Sequence, residues 1–265
     1  MIIKTFTDPK HVEEILKELP RDTLIGEFSG RDSAAAIIKV LEQEEHNHLL
    51  PVASLAGTEY GEEGALKENH GHTARRLFSL YGEKKSFYPL LFYSNPALWS
   101  IINGRFTSLV IEKYGFYTPC IGCHAYFHIL RLPLALKMGK KIVSGERERH
   151  DGSLKVNQTA LCLDFYKDII SYFGAELLLP LRHVHRGEEI EEILGWKWQE
   201  GKNHPDCVFS GNYRDREGQT TIKEEQVKEY LEGFLKPVII KVTTMFLENI
   251  NVSKEELLKE VENIL

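Results

Sequence analysis

The chain has 265 residues, of which 42% are hydrophobic and 27% charged, an ordinary balance for a globular protein that excludes disordered and fibrous classes. Its formal net charge of −6 differs from the basic balance that strong nucleic-acid binders usually show. No apolar stretch is long enough to cross a membrane, and the first residues lack a secretory-signal pattern. We therefore expect a cytoplasmic protein without a membrane partner.

Short apolar runs alternate with helical patterns along most of the chain, which predicts βαβ units and parallel strand pairing. The predicted strands are 23–28, 49–56, 87–93, 141–144 and 176–179. Helices are predicted at 33–45, 73–80, from Pro96 onward, at 123–138 with a break at Pro133, and at 157–173 and 187–194. Residues 58–71 are predicted to form a loop.

This order of elements predicts an α/β fold, with a doubly wound, mostly parallel five-stranded sheet of the Rossmann-like kind. The predicted domain covers residues 1–219, and residues 220–265 are predicted to form a C-terminal helical extension. Ligands of such sheets bind beyond the carboxyl ends of the strands, which places Ser29, Ala56 and Gly145 near one crevice.

The segment Phe-Ser-Gly-Arg-Asp-Ser, residues 28–33, joins the first predicted strand to a helix opened by small residues. A turn of this kind presents backbone N–H groups at the positive end of a helix dipole, where phosphate binds well. Gly30 lets the backbone approach a ligand, and Ser29 and Ser33 add hydroxyl donors. Asp32 suits a helix cap or a Mg²⁺ ligand. The alternative is an ordinary turn whose Ser and Asp only cap the helix.

This loop resembles the Ser-Gly-Gly-x-Asp-Ser signature of the PP-loop ATP pyrophosphatases, with one glycine fewer. The resemblance implies that ATP, with Mg²⁺, binds on the loop. It also implies that the end of the second strand reads adenine, and that polar residues after the fourth strand hold nucleotide and substrate, with Arg147 as a charge partner for phosphate. A solvated charged loop is the alternative reading of that last segment. The residues assigned to nucleotide binding are Ser29, Gly30, Arg31, Asp32, Ser33, Ala53, Leu55, Gly145, Glu146 and Gln158.

Three cysteines form a second group of candidate ligands. Cys120 and Cys123 form a C-x-x-C motif that opens a helix, and Cys207 lies far downstream. A helix N-terminus lowers the pKa of a thiol, so we expect thiolates that are ready to bind metal. Three thiolates can hold a [4Fe–4S] cluster and leave one iron open. A redox pair, uncoordinated thiols, and a Zn²⁺ site completed by His124 or His204 are the alternatives.

Cys162, the fourth cysteine, lies between two leucines inside a predicted helix. Core packing is the expected role of a cysteine in such a place.

The order of phosphate loop, C-x-x-C and lone cysteine is similar to the iron–sulfur-dependent tRNA thiolation branch of the PP-loop family, over roughly residues 20–215. The resemblance implies a sulfur transferase that adenylates a base carbonyl oxygen. It assigns metal binding to Cys120, Cys123 and Cys207, and catalysis to Asp32, Cys120 and Cys207. It implies ATP and tRNA as partners, and leaves a sulfur donor and a homodimer open.

Two other functions remain open at this point. Because the chain is acidic and shows no added RNA-binding module, its substrate could instead be a small molecule. It would then be an ATP-dependent ligase or amidotransferase with structural zinc or free cysteines. The second alternative is a sensor of nucleotide or redox state without turnover.

Overall fold

The computed structural model describes residues 9–60, 63–197 and 205–265. The strands are β1 (Leu24–Glu27), β2 (His48–Ala53), β3 (Glu59–Tyr60), β4 (Ser86–Phe87), β5 (Leu91–Phe92), β6 (Lys141–Val143), β7 (Glu176–Leu178) and β8 (Asp206–Cys207). Six of them form one parallel sheet, in which β4 and β5 pair in turn with β2. The sheet therefore has five strand positions, in the order β4/β5, β2, β1, β6, β7, which confirms the prediction.

The helices are α1 (Pro9–Lys17), α2 (Arg31–Leu41), α3 (Glu63–Tyr81), α4 (Pro96–Asn103), α5 (Thr107–Tyr114), α6 (Pro119–Leu130), α7 (Leu132–Lys137), α8 (Ala160–Tyr172), α9 (Gly187–Leu194), α10 (Glu224–Tyr230), α11 (Lys236–Glu248) and α12 (Lys254–Glu262). Short 3₁₀ turns lie at Gly82–Lys84 and Val156–Gln158, and a π-helical segment, Leu231–Leu235, joins α10 to α11. The predicted break near Pro133 is confirmed at Arg131, between α6 and α7.

The sheet is covered on both faces because successive strand residues point in opposite directions. One face packs against α4, α6, α7 and α8, and the other against α2, α3 and α9. The strand residues on the first face are Ile25, Leu50, Val52, Leu91, Ile142 and Leu177. Those on the second face are Leu24, Leu49 and Val143. Two hydrophobic cores therefore fix the sheet between its helices.

Two predicted segments differ from the structure. The third strand is divided into β4 and β5, with Pro89 between them, because proline has no N–H to donate to a strand partner. The predicted loop is wrong from residue 63 onward, where α3 begins and buries Leu66, Asn69 and Thr73 on one side. These three residues follow a helical spacing that the glycines of the segment obscured.

A small antiparallel sheet forms between β3 and β8, with Glu59 opposite Cys207. The sequence did not predict it. This sheet joins segments about 150 residues apart. It thereby places Cys207 near the carboxyl end of β2.

The C-terminal helices α10, α11 and α12 pack into the same hydrophobic core as α4 and α8. Their helical character was predicted, and the boundary at residue 219 stays a prediction. In the described ranges, no helix combines the length and apolar character needed to cross a membrane.

Candidate functional site

A cavity of about 670 Å³ opens at the carboxyl ends of β1, β2 and β6. It contains the crevice expected from the strand order, since Ser29, Ala56 and Gly145 all lie on its wall. Eleven of the residues assigned to binding or metal from the sequence line it: Ser29, Gly30, Arg31, Asp32, Ser33, Cys120, Cys123, Gly145, Glu146, Gln158 and Cys207. The phosphate loop and the three cysteines therefore share one cavity.

The loop between β1 and α2 is closed by the hydroxyl of Ser33. Ser33 Oγ accepts hydrogen bonds from the N–H groups of Ser29 (2.9 Å) and Gly30 (3.1 Å), and donates to the carbonyl of Gly30 (2.9 Å). Helix α2 begins at Arg31, so its first-turn amides lack acceptors within the helix itself. The turn therefore presents a helix N-terminus to the cavity, as phosphate binding requires.

Asp32 is held by two arginines. Its Oδ1 accepts a hydrogen bond from Arg31 Nε (3.2 Å) and its Oδ2 accepts one from Arg147 Nε (3.0 Å). Arg147 is fully buried and is absent from the cavity wall, so it supports Asp32 instead of reaching a phosphate. Each carboxylate oxygen of Asp32 therefore accepts one hydrogen bond from an arginine.

Gly145 lies directly beneath the phosphate loop. A Cβ atom at this position would stand 2.5 Å from both the carbonyl carbon of Asp32 and the amide nitrogen of Ser33. Such a separation is far below van der Waals contact. Only glycine therefore lets the end of β6 support the first turn of α2.

Ala53 and Leu55 are absent from the cavity wall, whereas their neighbours Ser54 and Ala56 line it. The carbonyl of Ala53 accepts from the amide of Tyr93 (2.9 Å), and the amide of Leu55 donates to Ser94 Oγ (2.8 Å). These two backbone groups are engaged inside the protein. Of the residues at the end of β2, Ser54 and Ala56 are the ones that face the cavity.

Glu146 is 2% exposed and forms the centre of a buried polar network. Its carboxylate accepts hydrogen bonds from His124 Nδ1 and Gln158 Nε2, and His128 Nε2 lies 3.4 Å from Oε1. Burial alone would lower the pKa of His124, but the charge of Glu146 and the hydrogen bond to it raise that pKa above its ordinary value. Burial would raise the pKa of Glu146, and the two histidines together lower it well below its usual range.

The same network extends back to the phosphate loop. The side chain of Gln158 also hydrogen-bonds His150 Nε2, and His150 Nδ1 lies 2.9 Å from Arg147 Nη2. Burial, together with the charges of Lys155 and Arg147, lowers the pKa of His150 to about 4. A neutral His150 can accept a hydrogen bond from Arg147, so polar contacts run without a gap from Asp32 to Glu146.

Lys155 lines the cavity, and sequence reasoning did not single it out. Within the described part of the chain, its ammonium group has no hydrogen-bond or ion-pair partner. Burial lowers its pKa, while the charges of Asp32 and Glu146 oppose that effect. Only its place just before Gln158 marked it in the sequence. Lys155 is therefore a cation that faces the cavity and is available to an anionic ligand.

Each cysteine of the cavity has a different neighbour. Cys123 Sγ accepts a hydrogen bond from Trp99 Nε1 (2.9 Å), and the Cys207 thiol donates to Thr58 Oγ1 (3.4 Å). The amide of Cys120 is capped by Thr118 Oγ1 (3.3 Å). Burial raises the pKa of Cys120, and raises that of Cys123 strongly. Desolvation therefore opposes the lowering of the thiol pKa that the helix N-terminus was expected to cause.

The three thiols are free and line one cavity, with no fourth cysteine beside them: Cys162 lies in the core and hydrogen-bonds the carbonyl of Val156 (3.2 Å). Among the described residues, no three His, Cys, Asp or Glu side chains converge on a point that would hold a metal ion. His124 Nδ1 is engaged by Glu146, which leaves Nε2 as the ring nitrogen for a Zn²⁺ ion, and His204 lies outside the described residues. A [4Fe–4S] cluster binds each thiolate through a different iron, so its ligands need not converge, and a set of three thiols fits it in kind.

No protein-family model matches the chain. Two solved structures align with the chain. A 4-thiouridine synthetase in complex with RNA and ATP aligns at 18% identity and a TM-score of 0.49, over 90% of this chain and 53% of the synthetase, so the chain spans about half of that protein. The U34-tRNA thiolase NcsA of Methanococcus maripaludis, with its [4Fe–4S] cluster, aligns at 12% identity and a TM-score of 0.39, over 96% of this chain and 77% of NcsA.

One relative is much nearer in sequence. It is a protein of Methanocaldococcus jannaschii named "Uncharacterized protein MJ0009", and it is 42% identical over 222 residues, which cover 84% of this chain and 80% of the relative. Since this identity extends across most of both proteins, the chain belongs to the same family as MJ0009 of Methanocaldococcus jannaschii.

Proposed function

We propose that the chain is an ATP-dependent sulfur transferase of the PP-loop type, which adenylates and then thiolates a base of tRNA. The observation that carries this proposal is that the phosphate loop and Cys120, Cys123 and Cys207 line one cavity. Activation of an oxygen and its replacement by sulfur both need access to the same substrate atom. A shared cavity meets this requirement.

In the first reaction, the amides at the start of α2 hold the phosphates of ATP, and Lys155 balances their charge. The substrate oxygen attacks the α-phosphorus, the bond to the β-phosphate oxygen breaks, and pyrophosphate leaves with the electron pair of that bond. The contribution of the protein is mainly position and electrostatics, as for other phosphoryl transfers. Asp32 keeps the loop in shape through its two arginines.

In the second reaction, sulfur replaces AMP on the activated carbon. Cys120, Cys123 and Cys207 would hold the iron–sulfur cluster as thiolates, having given up protons that burial otherwise retains. When bound, a three-cysteine cluster supplies an open iron at which sulfur can be carried. The three cysteines line the same cavity as the phosphate loop. The activated oxygen therefore does not have to move to another site for the second reaction.

A tRNA substrate is compatible with the charge around the cavity. Four cations, Arg31, Arg131, Lys155 and Arg214, line its wall beside the carboxyl groups of Glu27, Asp32, Glu59 and Glu146, while the chain as a whole carries a net charge of −6. Phosphate binding depends on local charge over about a Debye length, so a local group of cations can act in an acidic protein.

The test has two parts. Protein purified without oxygen is assayed for iron and sulfide, as wild type and as Cys120→Ala, Cys123→Ala, Cys207→Ala and Cys162→Ala. We expect the first three variants to lose most of the iron and Cys162→Ala to keep it. Equal iron in all five proteins would remove the cluster from the proposal.

The second part measures pyrophosphate released from ATP in the presence of unmodified tRNA transcripts, with thiolated nucleosides detected by mass spectrometry. Pyrophosphate with a small molecule but not with tRNA would identify a ligase. No pyrophosphate with any substrate, despite ATP binding, would identify a sensor.

A further inference from the structure

The indole of Trp99 lies beside one of the three cavity thiols. Its Nε1 donates a hydrogen bond to Cys123 Sγ over 2.9 Å, and Cys123 is a buried residue of the cavity wall. The indole N–H of tryptophan has one hydrogen and acts only as a donor. The bond therefore fixes where the sulfur of Cys123 can lie.

The backbone brings the two side chains together at a close crossing of α4 and α6. Gly122, between the two cysteines of the C-x-x-C motif, packs so tightly on α4 that a Cβ atom there would collide with Asn103 Oδ1 and stand 3.2 Å from Ile102. Trp99 lies one helical turn before Asn103 and thus faces Cys123, the residue after Gly122. The start of α4 is also tied to α6, since the amide of Asn95 donates to the hydroxyl of Tyr126 (2.8 Å).

The other side of the indole rests on the chain that follows β2. A Cβ atom on Gly57 would lie only 3.3 Å from the Trp99 ring. The next residue, Thr58, accepts the hydrogen bond of the Cys207 thiol (3.4 Å). Trp99 therefore packs on Gly57, the residue before the one that supports Cys207, and hydrogen-bonds Cys123.

We propose that Trp99 is a positioning residue for the metal group, which fixes Cys123 Sγ toward the cavity and donates a hydrogen bond to that sulfur when the group is bound. This inference rests on the proposed function. Partners that hydrogen-bond a metal ligand orient it and commonly change metal affinity by 10-fold to 100-fold. Hydrogen bonds to the sulfurs of a cluster also raise its reduction potential, because they stabilise the more negative, reduced form.

The first experiment uses iron-free protein and needs no activity. The chain has three tryptophans, so its ¹H–¹⁵N spectrum has three indole N–H resonances, and Trp99→Phe identifies the relevant one. We expect Cys123→Ala to shift that resonance and Cys162→Ala to leave it in place. We also expect three-bond couplings to show one χ1 rotamer for Cys123 in wild type and averaging among rotamers in Trp99→Phe. The inference would be overturned if the Trp99 indole resonance did not shift in Cys123→Ala, or if the χ1 rotamer of Cys123 were unchanged in Trp99→Phe.

The second experiment reconstitutes the protein with ferrous iron and sulfide. We expect Trp99→Phe to weaken iron binding by about 10-fold or more and to make the reduction potential more negative, and Trp196→Phe to do neither. Gly57→Ala should act in the same direction as Trp99→Phe by displacing the ring, and Gly64→Ala, whose Cβ would meet nothing within 4 Å, is its matched control. Wild-type affinity and potential in Trp99→Phe would refute the role.

Failure of the inference can be told apart from failure of the proposed function. If wild type binds no iron, the cluster in the proposed function falls, and the indole resonance and the rotamer of Cys123 still decide whether Trp99 positions this thiol. If wild type binds iron and Trp99→Phe binds it equally well, the proposed function stands and the inference is wrong.

Discussion

Glu146 accepts a hydrogen bond from Nδ1 of His124, and this buried pair joins the loop after β6 to the helix that carries Cys120 and Cys123. The residues on either side of Glu146 contact the phosphate loop: Gly145 packs beneath it, and Arg147 holds Asp32. Three consecutive residues thus connect the nucleotide side of the cavity with the cysteine side. Their contacts set the distance between the two.

Replacing Glu146 with Gln is expected to lower the free energy of unfolding by about 3 kcal/mol. The variant leaves a buried histidine without its carboxylate, and breaking a buried pair costs more than breaking an exposed one. Thermal denaturation monitored by circular dichroism measures the change. Glu148→Gln is the matched control, since its partner Arg182 is near the surface and the loss there should stay below about 1 kcal/mol. Equal effects of the two substitutions would contradict a central role for Glu146.

Gly145→Ala is expected to weaken ATP binding more than 10-fold while the rest of the fold is kept. The added Cβ pushes on the backbone of Asp32 and Ser33, which must move away and spoil the amide cradle. Isothermal titration calorimetry with ATP gives the affinity. Gly71→Ala, on α3, adds a Cβ with only an ordinary contact at 3.5 Å and should bind ATP like wild type. Unchanged affinity in Gly145→Ala would place the nucleotide elsewhere.

Lys155→Met is expected to slow pyrophosphate release from bound ATP by about 100-fold, because it removes a cation that faces the cavity while keeping the chain length. Single-turnover release, measured beside ATP affinity, separates an effect on catalysis from one on binding. Lys39→Met removes a partly exposed lysine of α2, paired at 3.7 Å with Glu42, and should release pyrophosphate at the wild-type rate. A wild-type rate in Lys155→Met would exclude the lysine from the reaction.

Glu59 gives a prediction on pH and stability. Burial raises the pKa of Glu59 to about 7, although the amide of Ala56 donates to its carboxylate (2.6 Å). Between pH 4.5 and 7 the folded chain therefore keeps a proton that the unfolded chain has lost, so this group makes stability fall as pH rises through that window. Urea denaturation should show that Glu59→Gln lacks this fall, which amounts to about 3 kcal/mol at most. Parallel pH profiles of wild type and variant would show that the carboxyl stays ionised.

Local patterns were sufficient for much of the fold. Alternating apolar runs predicted the five strand positions, and α9 was predicted with its observed bounds at Gly187–Leu194. Where prediction failed, a local signal competed with packing. The glycines of 58–71 suggested a loop, yet Leu66 and Thr73 are buried on one side of α3 because the sheet lies there to receive them.

The candidate site was likewise predicted only in part from local patterns. The phosphate loop and the C-x-x-C motif are contiguous, so the sequence could indicate them. Lys155, Trp99 and Glu59 carry no motif, and each gains its place from segments distant in the chain. Arg147 was predicted to face a phosphate and instead supports Asp32, since burial decides which cation reaches the cavity.

The sequence alone determined the parallel α/β sheet, the turn that leaves its first strand and the three cysteines, because these depend on residue types at short spacing. Only the tertiary structure decided that Cys207 pairs across from Glu59, that Gly145 supports Asp32 and that Trp99 meets Cys123. The physical reason is that hydrogen bonds and close contacts act over a few ångströms, and strand order and helix crossing, which local spacing does not encode, set which distant residues come that near.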